Sequence, residues 1–353
     1  MSSARYILPA EWEPHEATWL AWPLNRSDWP GKFTPIPWVY GEIVRRLIEG
    51  ERVRIIVASA AHEAGARRVL GKIGADSARI EFLRLRTNRG WMRDCGLFFV
   101  HEKTTRRIVI ARFAFNAWAK YSNWRLDNEI PARIARTQRI TCVDASVRRR
   151  RVVLEGGSID TNGRGTLLTT EECLLDQSVQ ARNPGMSRAK IEAVLRDHLG
   201  ATNVLWLGKG IAGDDTHGHV DDLCRFVNPT TVVLVEEKNP RDANYRPLQE
   251  NRERLSSFRL QNGSKLNVIP LPMPAPLCFD GMRLPASYAN FYIANAAVLV
   301  PTFNDPHDRI ALGILADIFR DRPVIGIHAV DLVWGLGTLH CLTHEQPAAP
   351  AVC

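Results

Sequence analysis

The 353-residue sequence lacks the features that mark several large classes of protein. Residues 1–6 contain no apolar stretch of the signal-peptide kind, so we predict a cytoplasmic protein. The longest apolar run, Ala294–Pro301, is too short to span a bilayer. The seven cysteines form no CxxC pair, which argues against a disulfide framework and a structural zinc site. No linker or low-complexity run divides the chain, and we predict a single domain over residues 1–353.

Basic residues are in excess, and the formal net charge is +8. Part of this charge lies in arginine runs such as Arg148–Arg151. Basic surfaces bind nucleic acid in some proteins, but no nucleic-acid motif accompanies the charge here. We therefore predict neither a nucleic-acid partner nor a membrane partner.

The segment Asp214–Asp222 holds four carboxylates and two imidazoles in nine residues. If His219 begins a strand, then His219 and Asp221 project from the same face, because strand side chains alternate. The spacing of His217, His219 and Asp221 is compatible with a divalent metal site. A histidine beside carboxylates equally suits an organic cation held next to a base. A solvated acidic turn is the third interpretation.

Hydrophobic periodicity predicts a unit of a hairpin, a helix and a strand that recurs along the chain. Four units are predicted, at 97–154, 158–207, 220–271 and 288–327. A final strand at 338–342 lacks a helix after it, and the N-terminal elements can complete its unit. We predict an α/β fold of about five ββαβ units closed into a ring, in which the N- and C-terminal elements share one unit.

Reactive side chains recur at similar positions of these units. Asp94 and Glu155 precede the first two hairpins, His219 opens the third, and Cys341 lies in the final strand. Because equivalent positions of a ring converge on its axis, the step of about 60 residues between them predicts that they meet. Each residue also has a structural alternative, such as an inert buried cysteine.

This set of a thiol, an imidazole and three carboxylates suits chemistry on a guanidino group. Two carboxylates, Asp94 and Asp221, can clamp a planar guanidinium, and its charge favours the reactive thiolate at Cys341. His219 can relay protons to departing ammonia and then activate water, with Glu155 fixing its tautomer. Without a metal, the set fits this hydrolysis better than acyl transfer.

Several motifs in the same order carry a resemblance over most of the chain. They are Leu8–His15, Trp91–Asp94, Phe115–Trp118, Leu154–Ser158, Leu167–Leu175, Gly218–Asp221, Ala286–Asn295 and His340–Thr343. The sequence resembles the agmatine deiminase family, which is related to bacterial peptidylarginine deiminases in the superfamily of guanidino-group-modifying enzymes with a five-bladed α/β propeller.

The resemblance implies a role for each residue of the set. Cys341 is implied as the nucleophile, His219 as the general acid and base, Glu155 as its partner, and Asp94 and Asp221 as the guanidinium clamp. It implies a catalytic domain without cofactor or metal that converts agmatine and water to N-carbamoylputrescine and ammonia, a step of putrescine biosynthesis. The partner is then a small cationic guanidino substrate, and a homo-oligomer is left open. Further candidate pocket or support residues are Trp91, Arg93, Arg112, Trp118 and Asn290.

Because the sequence departs from the family pattern, it does not decide which chemical group the substrate carries at the end opposite its guanidino group. Arg112 replaces an acidic residue that often precedes the Phe115–Trp118 motif. If Arg112 reaches the pocket, it repels the ammonium of agmatine and favours arginine or peptidylarginine. Two alternatives of other classes are a metallohydrolase that uses His217, His219 and Asp221, and a protein that binds guanidinium or polyamine ligands without turnover.

Overall fold

A computed structural model describes residues 4–75 and 78–349, and the fold is mixed α/β. The prediction that residues 1–6 form no signal peptide concerns residues 1–3 in part, and these three residues lie outside the described ranges. The strands are β1 Tyr6–Ile7, β2 His15–Ala21, β3 Arg52–Val57, β4 Ile80–Arg84, β5 Leu97–Glu102, β6 Ile108–Arg112, β7 Thr141–Asp144, β8 Ser146–Val147, β9 Arg150–Arg151, β10 Asp160–Thr161, β11 Thr166–Thr170, β12 Asn203–Leu207, β13 Cys224–Asn228, β14 Thr231–Glu236, β15 Asn267–Pro272, β16 Cys278–Phe279, β17 Met282–Arg283, β18 Tyr292–Ile293, β19 Val298–Thr302, β20 Val324–His328 and β21 His344–Pro347. The helices are α1 Ile36–Leu47, α2 Ala60–Lys72, α3 Ile130–Gln138, α4 Glu171–Leu175, α5 Arg188–Leu199, α6 Tyr245–Ser257, α7 His307–Ile318 and α8 Leu339–Leu342.

Within the described residues, five sheets have three or four strands each. Their strand orders are β1-β5-β6-β7, β10-β11-β12, β13-β14-β15, β18-β19-β20 and β21-β2-β3-β4. Each sheet combines an antiparallel pair with a parallel pair, as β13–β14 and β14–β15 do. Parallel neighbours need a crossover, and here the crossover contains a helix, such as α6 between β14 and β15. This repeated topology confirms the predicted recurrence of a hairpin, a helix and a strand.

The local sequence accounts for these elements. Five of the six residues of β14 are buried, as expected for a strand covered on both faces. Helix α1 buries Ile36, Tyr40, Ile43, Val44 and Leu47, which share one face at helical spacing. Helix α5 ends at Gly200, whose left-handed backbone (φ 77°) closes the last turn.

Strands from the N-terminal and C-terminal parts of the chain share one sheet, because β2 pairs with both β3 and β21. Trp19 lies opposite His344 in this register, and its indole nitrogen donates to Oε1 of Gln346 over 2.9 Å. The prediction that N-terminal elements complete the last unit is confirmed by this pairing.

Three predicted strands are placed wrongly. Residues 338–342 form no strand: Cys341 lies on the short helix α8, and the closing strand β21 follows it. The first unit ends with β7, ahead of the predicted 151–154, because Arg150–Arg151 belongs to a small hairpin with β8. Val220–Asp222 forms a 3₁₀ turn, and the strand begins only at Cys224. Tertiary contacts override strand propensity at these three places.

Among residues 4–75 and 78–349, the helices are all too short or too polar to cross a bilayer.

The packing between the end of α5 and β1 can be tested by substituting two glycines that have the same φ angle. Gly200 and Gly185 both have φ +77°, but a Cβ at Gly200 would lie 2.2 Å from the carbonyl oxygen of Tyr6, whereas Gly185 has open space. We predict that Gly200→Ala lowers the free energy of unfolding clearly more than Gly185→Ala does. Gly185→Ala should cost only the left-handed backbone penalty of about 1–2 kcal/mol. Denaturant unfolding followed by circular dichroism measures both, and equal losses would contradict the predicted clash.

Candidate active site

Short turns at the entrances of successive sheets position the predicted residues. Asp94 ends the 3₁₀ turn Met92–Asp94 before β5, and Asp221 lies in the turn Val220–Asp222 before β13. Glu155 and His219 occupy the equivalent position, the residue that precedes a 3₁₀ turn. Cys341 lies on α8, which contacts the turn Met92–Asp94. All five side chains are buried, so the structure brings together the set that the sequence predicted.

A cavity of about 90 Å³ adjoins this cluster. Asp94 and Cys341 line it together with the indoles of Trp91 and Trp118. The other lining residues are Ser27, Asp28, Arg89, Tyr121, Asp215, Thr216, Gly335 and Leu336. The cavity thus combines a thiol, carboxylates and aromatic walls, a composition suited to a flat organic cation.

Asp94 is fixed through both of its oxygens. The indole nitrogen of Trp118 donates to Oδ2 over 2.9 Å, and the backbone nitrogen of Gly157 donates to Oδ1 over 3.0 Å. A Cβ at Gly157 would lie only 2.5 Å from Nδ1 of His219 and 3.1 Å from Oδ1 of Asp94. Glycine at 157 therefore allows these side chains to approach each other.

His219 lies between two carboxylates without a hydrogen bond to either. Its Nδ1 is 3.8 Å from Oδ2 of Asp94 and 3.9 Å from Oδ1 of Asp221. Burial alone would lower the pKa of His219, but Asp94, Cys173 and Asp221 outweigh it and raise the pKa well above its usual value. The ring is thus held as a proton carrier at the centre of the cluster.

Glu155 lies close to His219, but its hydrogen-bond partner is an arginine. Nε of Arg182 donates to Oε1 of Glu155 over 3.1 Å, and both side chains are inaccessible to solvent. A carboxylate oxygen of Glu155, the sulfur of Cys173 and a ring nitrogen of His219 lie within 4.8 Å of one another. The sequence analysis identified neither Cys173 nor Arg182 as a site residue, although Cys173 lies inside the Leu167–Leu175 motif.

Asp221 is held by His340, the residue next to Cys341. Nδ1 of His340 lies 2.6 Å from Oδ2 of Asp221, and Nε2 lies 2.8 Å from Oε2 of Glu11. An imidazole can donate to two carboxylates only when both nitrogens carry hydrogen. Burial alone would raise the pKa of Asp221, but His340 and the charges of His219 and Arg225 lower it. Asp221 is therefore an anion, and among the described residues its Oδ1 has no hydrogen-bond partner.

Asn290, a predicted support residue, contacts Cys341 directly. Its Nδ2 donates to the sulfur of Cys341 over 3.2 Å, and its Oδ1 accepts from the hydroxyl of Thr338 over 2.7 Å. Burial and the carboxylates of Asp221, Asp222 and Asp94 raise the pKa of Cys341 well above its ordinary value. The thiol is thus protonated while the cavity holds no cation.

Of three other predicted pocket residues, Trp91 lines the cavity, whereas Arg93 and Arg112 do not. Trp91 lines the cavity, and its indole nitrogen donates to Oδ2 of Asp28 over 3.3 Å. Arg93 lies behind the site, where it donates to the carbonyl of His340 and pairs with Glu11 and Glu345. Arg112 lies outside the cavity lining and forms a two-bond ion pair with Asp144, its neighbour across β6 and β7. The structure therefore gives Arg112 no contact with the pocket.

The metal site proposed from His217, His219 and Asp221 is wrong. His217 adopts a left-handed backbone (φ 63°), and its Nε2 lies 3.0 Å from Oδ2 of Asp176. Within the described ranges, the groups that are close enough to hold an ion are Glu155, Cys173 and His219, and Asp221, Asp222 and Cys341. His217 belongs to neither group, because the turn at Gly218 separates the two histidine side chains.

The family described as Porphyromonas-type peptidyl-arginine deiminase matches residues 7–347. The chain belongs to this family. It is 35% identical to the agmatine deiminase of Stutzerimonas stutzeri strain A1501 over 366 residues, which cover 97% of this chain and 96% of that protein. The family resemblance drawn from the motifs is confirmed.

Solved structures of this family have the same fold. The agmatine deiminase of Enterococcus faecalis is 30% identical with a TM-score of 0.88, over 97% of this chain and 96% of that one. A substrate-bound agmatine deiminase of C. jejuni is 29% identical with a TM-score of 0.85, over 98% and 97% of the two chains.

The raised pKa of Cys341 predicts slow alkylation at neutral pH. A raised pKa leaves less thiolate at pH 7 than an ordinary cysteine has, so the rate with iodoacetamide should rise through alkaline pH. Replacing Asp221 by asparagine removes a charge that raises this pKa, and the profile should move to lower pH. Mass spectrometry of the Cys341 peptide measures the rate, and the exposed Cys278 serves as a reference in the same sample. A fast reaction that is already complete at pH 7 would contradict the prediction.

Proposed function

We propose that this protein deiminates agmatine, converting agmatine and water to N-carbamoylputrescine and ammonia. One observation carries the proposal: Asp94 and Cys341 line one cavity, His219 and Asp221 lie within 4 Å of them, and among the described residues Oδ1 of Asp221 has no hydrogen-bond partner. The agmatine deiminases of S. stutzeri and E. faecalis, similar over nearly the whole chain, support agmatine as the substrate.

Substrate binding is proposed to activate the nucleophile. The guanidinium is planar and cationic, so Asp94 and Asp221 can accept its N–H groups while Trp91 and Trp118 cover its faces. Its positive charge offsets the carboxylates that keep the thiol of Cys341 protonated. Binding therefore favours loss of the thiol proton to solvent, and the thiolate is formed when the guanidino carbon is in place.

The chemical steps follow from the proton carrier beside the thiol. The thiolate of Cys341 attacks the guanidino carbon, the bond to one terminal nitrogen breaks, and His219 gives that nitrogen the proton with which it leaves as ammonia. This step leaves a covalent thiouronium on Cys341. His219, now neutral, takes a proton from water, and the resulting hydroxide adds to the same carbon. The C–S bond then breaks as the added hydroxyl loses its proton to solvent, which releases the neutral ureido group of the product and the thiolate. Glu155, anchored by Arg182, keeps negative charge near the His219 ring.

The position of Arg112 removes the argument for a carboxylate-bearing substrate. Its charge is paired with Asp144 outside the cavity, so it gives no reason to favour arginine or peptidylarginine. These substrates stay the alternative within the same mechanism.

We also infer that the five sheets are the blades of one closed propeller, which forms a single catalytic domain. The repeated strand order, the shared sheet of β2 and β21, and the contacts among the turns Met92–Asp94, Gly156–Ser158 and Val220–Asp222 support this inference. Equivalent turns that touch each other are expected at the axis of such a ring. The cytoplasmic location and the lack of nucleic-acid partners stay predictions of the sequence.

The first test is ammonia release from agmatine, arginine and a peptide that contains arginine. We predict turnover of agmatine, loss of about 10⁴-fold or more in Cys341→Ala, and no loss of activity with EDTA. Cys224→Ala, which removes another buried thiol, is the matched control and should keep its activity.

Each other outcome identifies a different function. Turnover only of arginine or of the peptide moves the enzyme to the alternative substrates. A rise in melting temperature with agmatine but no ammonia indicates a binding protein. Full activity of Cys341→Ala excludes the thiol mechanism.

His340 is proposed to position Asp221, and His340→Gln tests this. Glutamine cannot supply the charged donor, so the pKa of Asp221 should rise and the acid limb of kcat/KM should move to higher pH, because Asp221 must be ionised to hold a cation. KM should therefore rise at acidic pH, where the raised pKa lets Asp221 lose its charge, and should change little at pH values where Asp221 stays ionised. His344→Gln is the control, since His344 is equally buried but has no ion pair with a site carboxylate. An unchanged KM and pH profile in His340→Gln would contradict the role.

A further inference from the structure

The cluster of Glu155, Cys173 and His219 contains a buried nucleophile that the proposed mechanism does not use. Cys173 begins no step of the deimination, yet its sulfur lies within 4.8 Å of a ring nitrogen of His219 and a carboxylate oxygen of Glu155. The exposed fractions of the three residues are 1% or less. A thiol, an imidazole and a carboxylate are the three ligand types that Zn²⁺ prefers.

Unused hydrogen-bonding capacity points into this cluster. Within the described part of the chain, neither ring nitrogen of His219 makes a hydrogen bond of normal geometry, and Oε2 of Glu155 has no partner. Buried polar atoms without a partner are costly, so these atoms favour a ligand that satisfies them. Arg182 uses only the other oxygen, Oε1, which leaves Oε2 free for an ion.

The neighbouring group of Asp221, Asp222 and Cys341 is less suited to a cation. Oδ2 of Asp221 is engaged by His340. Nδ2 of Asn290 donates both to Oδ1 of Asp222 over 3.0 Å and to the sulfur of Cys341 over 3.2 Å. An N–H donor between two of the ligands opposes a metal ion there, whereas the arginine donor of the Glu155 group, Arg182, bonds Oε1 of Glu155 and leaves Oε2 without a partner among the described residues.

We propose that Glu155, Cys173 and His219 form a binding site for Zn²⁺ that shuts off the active site. In a tetrahedral zinc site the ligand atoms are about 3.3–3.8 Å apart, so small side-chain movements convert the present spacing into coordination. A zinc ion on His219 withholds the ring from proton transfer, and its charge repels the guanidinium. This inhibitory consequence rests on the proposed function, but the binding itself does not.

The access route is the cavity already described. Asp94 lines that cavity and lies 3.8 Å from Nδ1 of His219. A small divalent cation that enters the cavity therefore meets carboxylates before it reaches the ring.

Equilibrium dialysis of the metal-free protein with Zn²⁺ tests the site directly. We expect about one ion per chain, and an affinity that falls at least about 100-fold in Cys173→Ser. Cys224→Ser and Cys341→Ser should keep the affinity, since neither thiol belongs to the group. Cys173→Ser and Cys224→Ser are each compared with their own metal-free activity, and Zn²⁺ should inhibit the Cys173→Ser variant only at correspondingly higher concentration.

Two results would overturn the proposal: no stoichiometric binding, or binding lost in Cys341→Ser but kept in Cys173→Ser. If Cys173→Ser fails to fold, the Co²⁺ complex of Cys341→Ser decides, because a thiolate ligand gives an intense near-ultraviolet cobalt band. The absence of that band excludes Cys173 as a ligand. Stoichiometric zinc binding by a protein that releases no ammonia would exclude the deiminase function but would support the zinc site.

Discussion

The carboxylate of Glu11 is the buried charge on which the architecture of the site depends. It lies 3.0 Å from Nη2 of Arg225, 3.3 Å from Nη2 of Arg93 and 2.8 Å from Nε2 of His340. Burial alone would raise the pKa of Glu11, but these cations hold it well below its usual value. Loss of the carboxylate would leave three buried cations without their shared counter-charge, which is costly at low dielectric. The N-terminal segment is thereby tied to β13, to the Met92–Asp94 turn and to α8.

This network determines how the reactive groups present themselves. Glu11 accepts a hydrogen bond from one ring nitrogen of His340. The other ring nitrogen is thereby directed to one oxygen of Asp221, and the second oxygen of Asp221 is left for a ligand. Burial and the carboxylates of Asp221, Asp222 and Asp94 then favour the thiol of Cys341 over its thiolate, and the thiol stays protonated. A cation is the ligand that relieves this imbalance, so the same electrostatics select the substrate and activate the nucleophile.

The five reactive residues could be predicted because the chain repeats. Asp94, Glu155, His219 and Asp221 all lie at the beginning of a hairpin unit, and a repeated unit brings equivalent positions together. Hydrophobic periodicity identified the units even though it wrongly predicted strand structure at Val220–Asp222, ahead of β13, and at residues 338–342, which contain Cys341. Those errors share one cause: active-site turns carry apolar residues such as Val220 and Leu339, which are buried by tertiary contacts and imitate a strand.

The sequence by itself determined the family, the repeated α/β units and the set of reactive side chains, because these depend on residue type and spacing. Only the tertiary structure decided which neighbours each side chain meets. Arg112 pairs with Asp144 across two strands, His217 turns to Asp176, Cys173 approaches His219, and His340 joins Glu11 to Asp221. Such contacts join residues far apart in the chain. The direction in which each side chain points depends on backbone angles and on the cost of burying charge, and local sequence patterns do not encode either.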